Sequence, residues 1–413
     1  MANDGWKTYR LGEVTENYDF KRVPVKEADR RPGPYPYYGA SGVVDHVDQY
    51  IFDGEYLLIA EDGENLRSRK LPVAFIATGK FWVNNHAHIV TGNVLSNTRF
   101  LAYLLDRIDI SGFLSGSTMP KLTQGNMNRI EVRLPTKPVQ DAIVAFVSSL
   151  DRKLHVNLRM NRTLEKMAAA IFKSWFIDFD PVHAKAEGRD PGLPAEIADL
   201  FPDTFKDSDL GPTPKGWKPG SLGDVADSPR RGIKPSDVPP TTPYIGLEHM
   251  PRRSIALDAW GWAEDVASGK SQFKEGEILF GKLRPYFHKV GIAPVDGVCS
   301  TDIVVVTPKA AHWHGYVISL VSSKAFVDYT DSHSAGTKMP RTNWKDMSRY
   351  PLALPPEPLA KAFQDHVAPL HKRIGVNVRQ NRRLAGLRDT LLPKLLSGEI
   401  ELPAADTIAE EVT

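Results

Sequence analysis

Two long stretches of the chain place apolar residues three and four positions apart, which is the spacing of a helix with one apolar stripe. Each stretch begins beside a proline, Pro138 or Pro358, and is free of proline for most of its length. We therefore predict one helix over 138–177 and a second over 357–398. The stripe follows a heptad, with a and d positions at Val147, Leu150, Leu154, Asn157, Asn161, Leu164, Ala168, Ile171 and Trp175, and at Val367, Leu370, Ile374, Asn377, Asn381, Leu384, Arg388, Leu391 and Leu395.

The first six heptad positions of the two helices correspond one for one, including two asparagines in each. Polar residues in a coiled-coil seam cost stability but fix register and orientation. We predict that the helices pack on each other, with Asn157, Asn161, Asn377 and Asn381 meeting near the middle as register residues. In the alternative interpretation, each helix packs only on its own globular part. An antiparallel pair would act as a spacer between two globular parts.

Ahead of each helix lies a part that is rich in glycine, proline and aromatic residues and contains short apolar runs typical of strands. Examples are 56–60, 73–77 and 302–306. We predict an α+β fold with two mixed α/β globular domains, at 1–137 and 216–356, and the two long helices forming an antiparallel coiled coil.

The two halves of the chain are copies of one unit. Gly5-Trp6-Lys7 and Gly216-Trp217-Lys218 open the copies at an offset of 211, and Met119-Pro120-Lys121 and Met339-Pro340-Arg341 match at an offset of 220. The second copy has therefore gained nine residues within its globular part. Two long copies predict a two-lobed molecule with an approximate internal two-fold axis, because solenoids are built from shorter and more numerous repeats.

Two acidic segments flank the second copy. Residues 178–215 carry nine acidic residues, four basic residues and six prolines, which predicts a wrapping linker rather than a domain. Residues 399–413 form an acidic tail.

Composition narrows the class of protein. No apolar run is long enough to span a membrane, the N-terminus lacks a signal pattern, and a single cysteine, Cys299, excludes an internal disulfide. We expect Cys299 to be a buried small apolar residue and the protein to be cytoplasmic. The net charge is only +2, so any basic surface must be local.

Catalytic signatures are missing. Gly269-Lys270-Ser271 ends like a phosphate-binding loop, but Glu264 occupies the place of its leading glycine. Neither Pro-Pro pair has the context of an adenine methyltransferase motif. His86-Ala87-His88 and His312-Trp313-His314 suit one face of a strand, but a third metal ligand is not evident, which favours structural or polar roles. We therefore expect a binding and scaffolding protein without catalytic or metal residues and without a cofactor of its own.

The duplicated plan resembles that of the specificity subunit of type I restriction-modification systems. Three short motifs also match the family, at Phe172-Lys173-Ser174-Trp175-Phe176-Ile177-Asp178-Phe179-Asp180-Pro181-Val182, at Gly211-Pro212-Thr213-Pro214-Lys215-Gly216-Trp217 and at Leu391-Leu392-Pro393-Lys394-Leu395-Leu396-Ser397-Gly398-Glu399. The resemblance covers nearly the whole chain.

The resemblance implies that each globular half is a target-recognition domain that reads one half of a split double-stranded DNA site. It implies that the helices form the antiparallel spacer. Two modification subunits would dock on this body and methylate adenine at N6 with S-adenosylmethionine, and restriction subunits would join to translocate and cut DNA with ATP and Mg. The acidic segments would then face away from DNA.

DNA recognition needs cations for phosphates and forked polar side chains for base edges. Three segments of the first copy offer them, at 64–70, 84–88 and 116–121, and three segments of the second copy correspond, at 282–289, 299–302 and 336–341. The candidate DNA-contacting residues are Arg67, Arg69, Lys70, Asn84, Asn85, His86, His88, Thr118, Lys121, Lys282, Arg284, Tyr286, Lys289, Ser300, Thr301, Lys338 and Arg341.

The loop with Met-Pro followed by Lys or Arg recurs in both halves, so we expect it to serve the backbone or the fold rather than sequence choice. For any single candidate, the alternative is a solvated loop charge. The globular halves diverge outside the shared anchors, which predicts two different half-sites.

Two other functions remain open at this point. The chain could be the specificity module of another phage-defence complex, or a methyltransferase or nuclease that acts alone. A purely structural scaffold leaves the paired polar loops unexplained.

Overall fold

The computed structural model of the protein describes residues 5–336 and 339–403. Within this range, the chain divides into two compact units. Unit 1 contains the described residues up to Arg152 together with those from Gly386 onward, and unit 2 runs from Lys153 to Ala385. Each unit therefore combines globular structure with parts of both long helices.

Unit 1 is built on a six-stranded sheet whose strands lie in the order β2-β7-β5-β6-β3-β4, and β1 and β8 form a separate pair. All neighbours are antiparallel except β3 and β6. The strands are β1 Lys7–Arg10, β2 Thr15–Asn17, β3 Pro32–Gly39, β4 Gly42–Val47, β5 Phe52–Ala60, β6 Ala74–Val83, β7 Ala87–Gly92 and β8 Glu131–Leu134. The helices ahead of the long one are α1 Leu11–Val14, α2 Asn65–Ser68, α3 Thr98–Leu105 and α4 Gln124–Asn128.

Unit 2 repeats part of this plan. Strands β12, β20 and β17 are neighbours in a four-stranded sheet with β18, as β2, β7 and β5 are in unit 1, and β11 pairs with β21 as β1 pairs with β8. A five-stranded sheet has the order β13-β16-β19-β14-β15. The strands are β9 Phe205–Lys206, β10 Thr213–Pro214, β11 Lys218–Ser221, β12 Ala226–Asp227, β13 Gly232–Ile233, β14 Pro243–Ile245, β15 Gly261–Trp262, β16 Lys270–Phe273, β17 Ile278–Gly281, β18 Val290–Ile292, β19 Gly297–Cys299, β20 Ile303–Pro308 and β21 Pro351–Leu354.

The two long helices are α5 Lys137–Phe176 and α12 Glu357–Ser397, of 40 and 41 residues. At 1.5 Å per residue each is ~60 Å long. The other helices of unit 2 are α6 Asp180–Ala186, α7 Ala195–Ala198, α8 Leu222–Val225, α9 His314–Val321, α10 Lys324–Ser332 and α11 Trp344–Met347.

The helices pair antiparallel within unit 2, through the asparagines of the heptad. The Nδ2 of Asn157 donates to Oδ1 of Asn381 at 2.8 Å, and the Nδ2 of Asn377 donates to Oδ1 of Asn161 at 2.8 Å. Residue numbers therefore rise along one helix where they fall along the other, so the two helices are antiparallel. All four side chains are buried, so the hydrogen bonds lie inside the apolar seam. The predicted coiled coil is confirmed, and the alternative in which each helix packs only on its own globular part is wrong.

Unit 1 contains the first turns of α5 and the last turns of α12, which also pack together. Val147 of α5 and Leu391 of α12 are buried in one apolar core with Leu57 and Phe100 of the globular part. Arg388, at a heptad position, forms an ion pair with Asp151 at 3.0 Å. Asp151 is therefore part of the contact between the two helices.

The segment between the copies packs on unit 2. Val182, Ile197 and Phe201 are buried in the same core as Trp175 and Trp217, and the rings of Trp175 and Phe201 meet edge to face at 5.3 Å. The prolines and charges of this segment predicted a wrapping linker, and its apolar residues fix it to the core. Most of the acidic tail, from residue 404, lies outside the described residues.

Cys299 is fully buried, as expected, and burial raises the pKa of its thiol to about 12. Among the described residues, no helix combines the length and the apolar character that crossing a bilayer requires.

Candidate nucleic-acid interface

Strand pairing brings the three predicted segments of unit 1 together. Strand β5 ends at Ala60 beside the first residue of β7, Ala87, so the segments that follow β5 and precede β7 share one edge of the sheet. The third segment joins through the backbone, because the amide of Leu122 donates to the carbonyl of Glu61 at 2.7 Å and that of Gly63 donates to Pro120 at 3.1 Å. We call residues 61–70, 84–88 and 115–121 the first loop cluster.

Unit 2 assembles its segments in the same way. Strand β17 ends at Gly281 opposite Ile303, where β20 begins. The amide of Lys282 donates to Asp302 at 2.9 Å, and that of Arg284 donates to Pro340 at 2.8 Å. We call residues 282–289, 299–302 and the described part of 335–341 the second loop cluster. The candidate Lys338 lies outside the described residues.

The ends of the recurrent Met-Pro loop pair in the same way in both clusters. Lys121 pairs with Ser115 across the loop, and Arg341 pairs with Ala335. Gly116 has a φ of +84°, and a Cβ there would lie 2.2 Å from the carbonyl oxygen of Met119. Only glycine fits this position. The geometry agrees with our expectation that the loop serves the backbone.

The three cations of segment 61–70 differ in what they contact. Arg69, in the left-handed region at φ +47°, donates to the carbonyls of Ile108, Asp106 and Leu105 at 2.9, 2.7 and 3.1 Å. Arg69 therefore caps the C-terminal end of α3. Arg67 is exposed and donates to the carbonyl of Gly116 at 2.9 Å, which braces the Met-Pro loop. Lys70 is exposed, and within the described part of the chain its ammonium has no hydrogen-bond or ion-pair partner.

The segment 84–88 presents two of its four candidates to solvent. Asn85 and His86 are exposed, and Nδ1 of His86 lies 2.8 Å from a carboxylate oxygen of Asp62. Asn84 is buried, and its Oδ1 accepts the amide of His86 at 2.8 Å. Asn84 thus shapes the turn that presents its neighbours.

His88 corrects the prediction. Its side chain is only 1% exposed, with Nδ1 2.6 Å from Oδ2 of Asp19 and Nε2 2.8 Å from the carbonyl oxygen of Leu122. A side chain so enclosed cannot reach DNA. Alternation along a strand would place His86 and His88 on the same face, but β7 is buried on both faces, so His88 is enclosed.

Half-buried charges under the first loop cluster form a network, with the exposed Lys121 at its edge, that the sequence did not reveal. Arg22 donates to Glu61 at 2.6 Å and to the carbonyl of Ala87 at 3.0 Å, and Lys121 lies 3.3 Å from Glu61. Burial alone would raise the pKa of Asp19, but hydrogen bonds and charges from His88 and Arg22 outweigh it and lower that pKa. Arg22 lies outside the segments that match between the copies, so the repeat gave no signal for it.

In the second loop cluster, Tyr286 is the most exposed ring, at 49%. Arg284 has a left-handed φ of +51°, and its guanidinium lies 5.9 Å from the ring centre of Phe287. Lys289 donates to the carbonyl of Leu247 at 2.6 Å, and burial, reinforced by Arg252, lowers the pKa of its ammonium. Lys289 is therefore directed inward.

The remaining described candidates are exposed or half-buried. Arg341 is exposed and pairs with Asp302 at 3.2 Å, while Ser300 is half-buried and its Oγ accepts the amide of Asp302 at 3.2 Å. Among the described candidates, the side chains without a hydrogen-bond or ion-pair partner are those of the half-buried Lys282 and Arg284 and of the exposed Lys70, Asn85, Thr118, Tyr286 and Thr301.

Comparison with known proteins finds similarity to DNA-specificity subunits. Residues 3–166 match the family model described as the type I restriction modification DNA specificity domain. The chain is 27% identical to the type I restriction enzyme EcoDI specificity subunit of Escherichia coli, over 96% of this chain and 88% of that protein. The resemblance to type I specificity subunits predicted from the sequence is confirmed. The MjaIX specificity subunit of Methanocaldococcus jannaschii is 23% identical over 96% of both chains.

A solved structure shares the fold. The crystal structure of the type I restriction-modification system S subunit from M. genitalium aligns with a TM-score of 0.61 at 14% identity and covers 96% of this chain and 97% of that one. The predicted fold class is confirmed: two mixed α/β parts, two long antiparallel helices and an internal repeat.

Proposed function

We propose that this protein is the non-catalytic DNA-specificity subunit of a type I restriction-modification complex, in which each globular part reads one half of a bipartite site in duplex DNA. The observation that carries the proposal is the pair of loop clusters, one per unit, built at equivalent strand ends with different side chains. The similarity to specificity subunits over 96% of the chain supports the same conclusion.

The two clusters would read different half-sites. The first offers Lys70, Asn85, His86 and Thr118 to solvent, whereas the second offers the aromatic Tyr286 with Thr301 and Arg341. Amide and hydroxyl groups hydrogen-bond base edges and exposed cations contact phosphates, so these different sets predict different sequences.

The helices would set the spacing between the half-sites. Antiparallel pairing through Asn157–Asn381 and Asn161–Asn377 supports this role, because hydrogen-bonded polar pairs in a seam favour one register over its alternatives. A fixed register gives the spacer one length.

The chemistry would belong to partner subunits. Two modification subunits would dock on the body of this protein and use S-adenosylmethionine to methylate adenine at N6, and restriction subunits would supply translocation and cleavage with ATP and Mg. For methylation, translocation and cleavage, these cofactors would be bound by the partner subunits.

Reconstitution tests this assignment. We expect neither the purified chain nor the type I modification subunit of the same genome to transfer labelled methyl groups to genomic DNA efficiently alone, and the mixture to do so. Methyl transfer by the chain alone would overturn the non-catalytic assignment, and an inactive mixture of folded proteins that bind each other would overturn the specificity role.

A further inference from the structure

Unit 2 contains a cavity of about 640 Å³ whose lining includes His288 of the second loop cluster. One wall is the stretch of α5 from Leu158 to Ala169, a second is the loop from Pro251 to Asp258, and a third includes Ser319 and Ser322. Pockets for small molecules fall in the range of roughly 300–1,000 Å³, so the cavity has the size of a small-molecule site.

The lining of the cavity is strongly cationic. Its two carboxylates are Glu165 and Asp258, and the Glu165 carboxylate accepts a hydrogen bond from the hydroxyl of Ser254 at 2.8 Å. Burial raises the pKa of Glu165, against the effect of this hydrogen bond. The cations in the lining are Arg162, Lys166, Arg252, Arg253 and Lys324.

Two buried side chains in the lining each have one nitrogen without a hydrogen-bond partner. Asn161 is 3% exposed and its Nδ2 has no partner, and His371 is 9% exposed and its Nδ1 has none. Buried polar groups are almost always hydrogen-bonded in folded proteins, so each marks a place where a ligand would supply the missing contact. Burial and the neighbouring His314 lower the pKa of His371 to about 4, so the ring is neutral at physiological pH and offers one N–H.

The cationic loop is held in place before any ligand binds. Arg253 has a left-handed φ of +57°, and its amide donates to the carbonyl of His288 at 2.8 Å. The guanidinium of Arg252 lies 4.1 Å from the ring centre of Phe287. Backbone strain of this kind persists where the surroundings over-determine it, and it is concentrated at binding sites.

We propose that this cavity binds a small phosphate-bearing molecule, of the size of pyrophosphate or a nucleotide, in addition to the DNA-specificity role. Guanidinium groups bind phosphate oxygens through paired charge-assisted hydrogen bonds, and the cavity combines Arg162 and Arg253 with neutral buried donors. Asn161 and His371 are 3% and 9% exposed, and a cavity of about 640 Å³ holds a small ligand but not a duplex.

Calorimetric titration of the full chain with pyrophosphate and with ATP tests the proposal. We expect saturable binding by one site of wild type, and binding at least about tenfold weaker in the double variant Arg162→Gln/Arg253→Gln, because charge-assisted hydrogen bonds contribute roughly that much each. Lys345→Gln/Arg349→Gln removes two exposed cations elsewhere in unit 2 and should bind as wild type does. His371→Leu, which keeps the size of the side chain and removes both ring nitrogens, should weaken binding by several-fold.

Thermal melts establish that each variant is folded, and the His371 variant provides the test if the double variant is not. Duplex DNA is titrated in parallel. Absence of pyrophosphate and ATP binding, or equal loss in the two double variants, overturns the proposal. If Arg162→Gln/Arg253→Gln loses duplex binding but keeps pyrophosphate and ATP binding, the proposal is also overturned. The two arginines then belong to the DNA surface, and the specificity role is unaffected.

Discussion

At the scale of residues, the candidates separate into those that hold the loops and those that are free to meet DNA. Arg67, Arg69 and Lys289 donate to backbone carbonyls, and His88 lies inside unit 1. Lys70 and Tyr286 are exposed. Sequence position alone treats these residues alike, because the partner of each side chain lies far away along the chain.

Arg69→Ala should lower the free energy of unfolding by about 1–3 kcal/mol, because three carbonyls at the end of α3 lose their donor. Urea unfolding measures this loss. Preference for one base should be unchanged once binding is corrected for the folded fraction. A stable Arg69→Ala variant that relaxes one position of the target would instead restore Arg69 as a base-reading residue.

Lys70→Ala, the matched neighbour, should leave the free energy of unfolding unchanged. If Lys70 contacts a phosphate, the slope of log affinity against log salt concentration should fall by about 0.9, equally for cognate and random duplexes. Fluorescence anisotropy at several salt concentrations measures the slope. An unaltered slope would remove Lys70 from the interface.

The Asp19–His88 pair predicts a dependence of stability on pH. Because the pKa of Asp19 is lowered in the folded state, its contribution is present above the unfolded-state pKa, near 3.8, and is lost as pH falls through the lower folded-state pKa. Asp19→Asn should therefore flatten the acid side of the stability curve measured by urea unfolding between pH 5 and 3. Asp48→Asn, at an exposed position, should not flatten it. Equal acid sensitivity of wild type and Asp19→Asn would contradict this account.

At the scale of elements, the long helices are what the sequence predicts best. Their heptad pattern is local, and matched asparagines in both copies indicate a shared seam. The strands were predicted only in part, and the parallel pairing of β3 with β6 and of β14 with β19 was not predicted, because pairing joins segments that are distant in sequence. The strand pairing also brings the loop segments together. The sequence therefore identified the segments but could not predict that they lie side by side.

Replacing one asparagine pair by leucine, in Asn157→Leu/Asn381→Leu, should raise the melting temperature, because the seam gains apolar contacts in place of hydrogen-bonded amides. The same variant should favour one register less strongly and so methylate sites with more than one spacer length. Differential scanning calorimetry and methylation of a spacer library measure the two effects. A lower melting temperature with an unchanged spacer would show that the amides serve stability instead.

A matched insertion tests the helices as a spacer. Seven residues added after Leu154 and seven after Leu384 lengthen both helices by one heptad while keeping the asparagine pairs in register. The added ~10 Å corresponds to ~3 base pairs of duplex. We expect the preferred spacer in the library to lengthen accordingly with both half-sequences retained, and an unchanged spacer would refute the spacer role.

At the scale of the whole molecule, duplication explains both what is repeated and what is not. The paired strands that frame each loop cluster, the Met-Pro loop and the asparagine seam recur, because they build the same framework twice. The residues presented by the frameworks differ, as expected if each unit reads its own sequence. The segment between the copies packs on unit 2 through Val182 and Phe201, which its acidic composition had concealed.

Sequencing of methylated adenines in the genome of the source organism, with and without the gene for this protein, tests the central claim most directly. The account predicts one gene-dependent motif with two different half-sequences separated by a spacer of fixed length. A gene-dependent motif that is continuous or palindromic, or methylation that is unchanged when the gene is deleted from a strain with an active modification subunit, would contradict it.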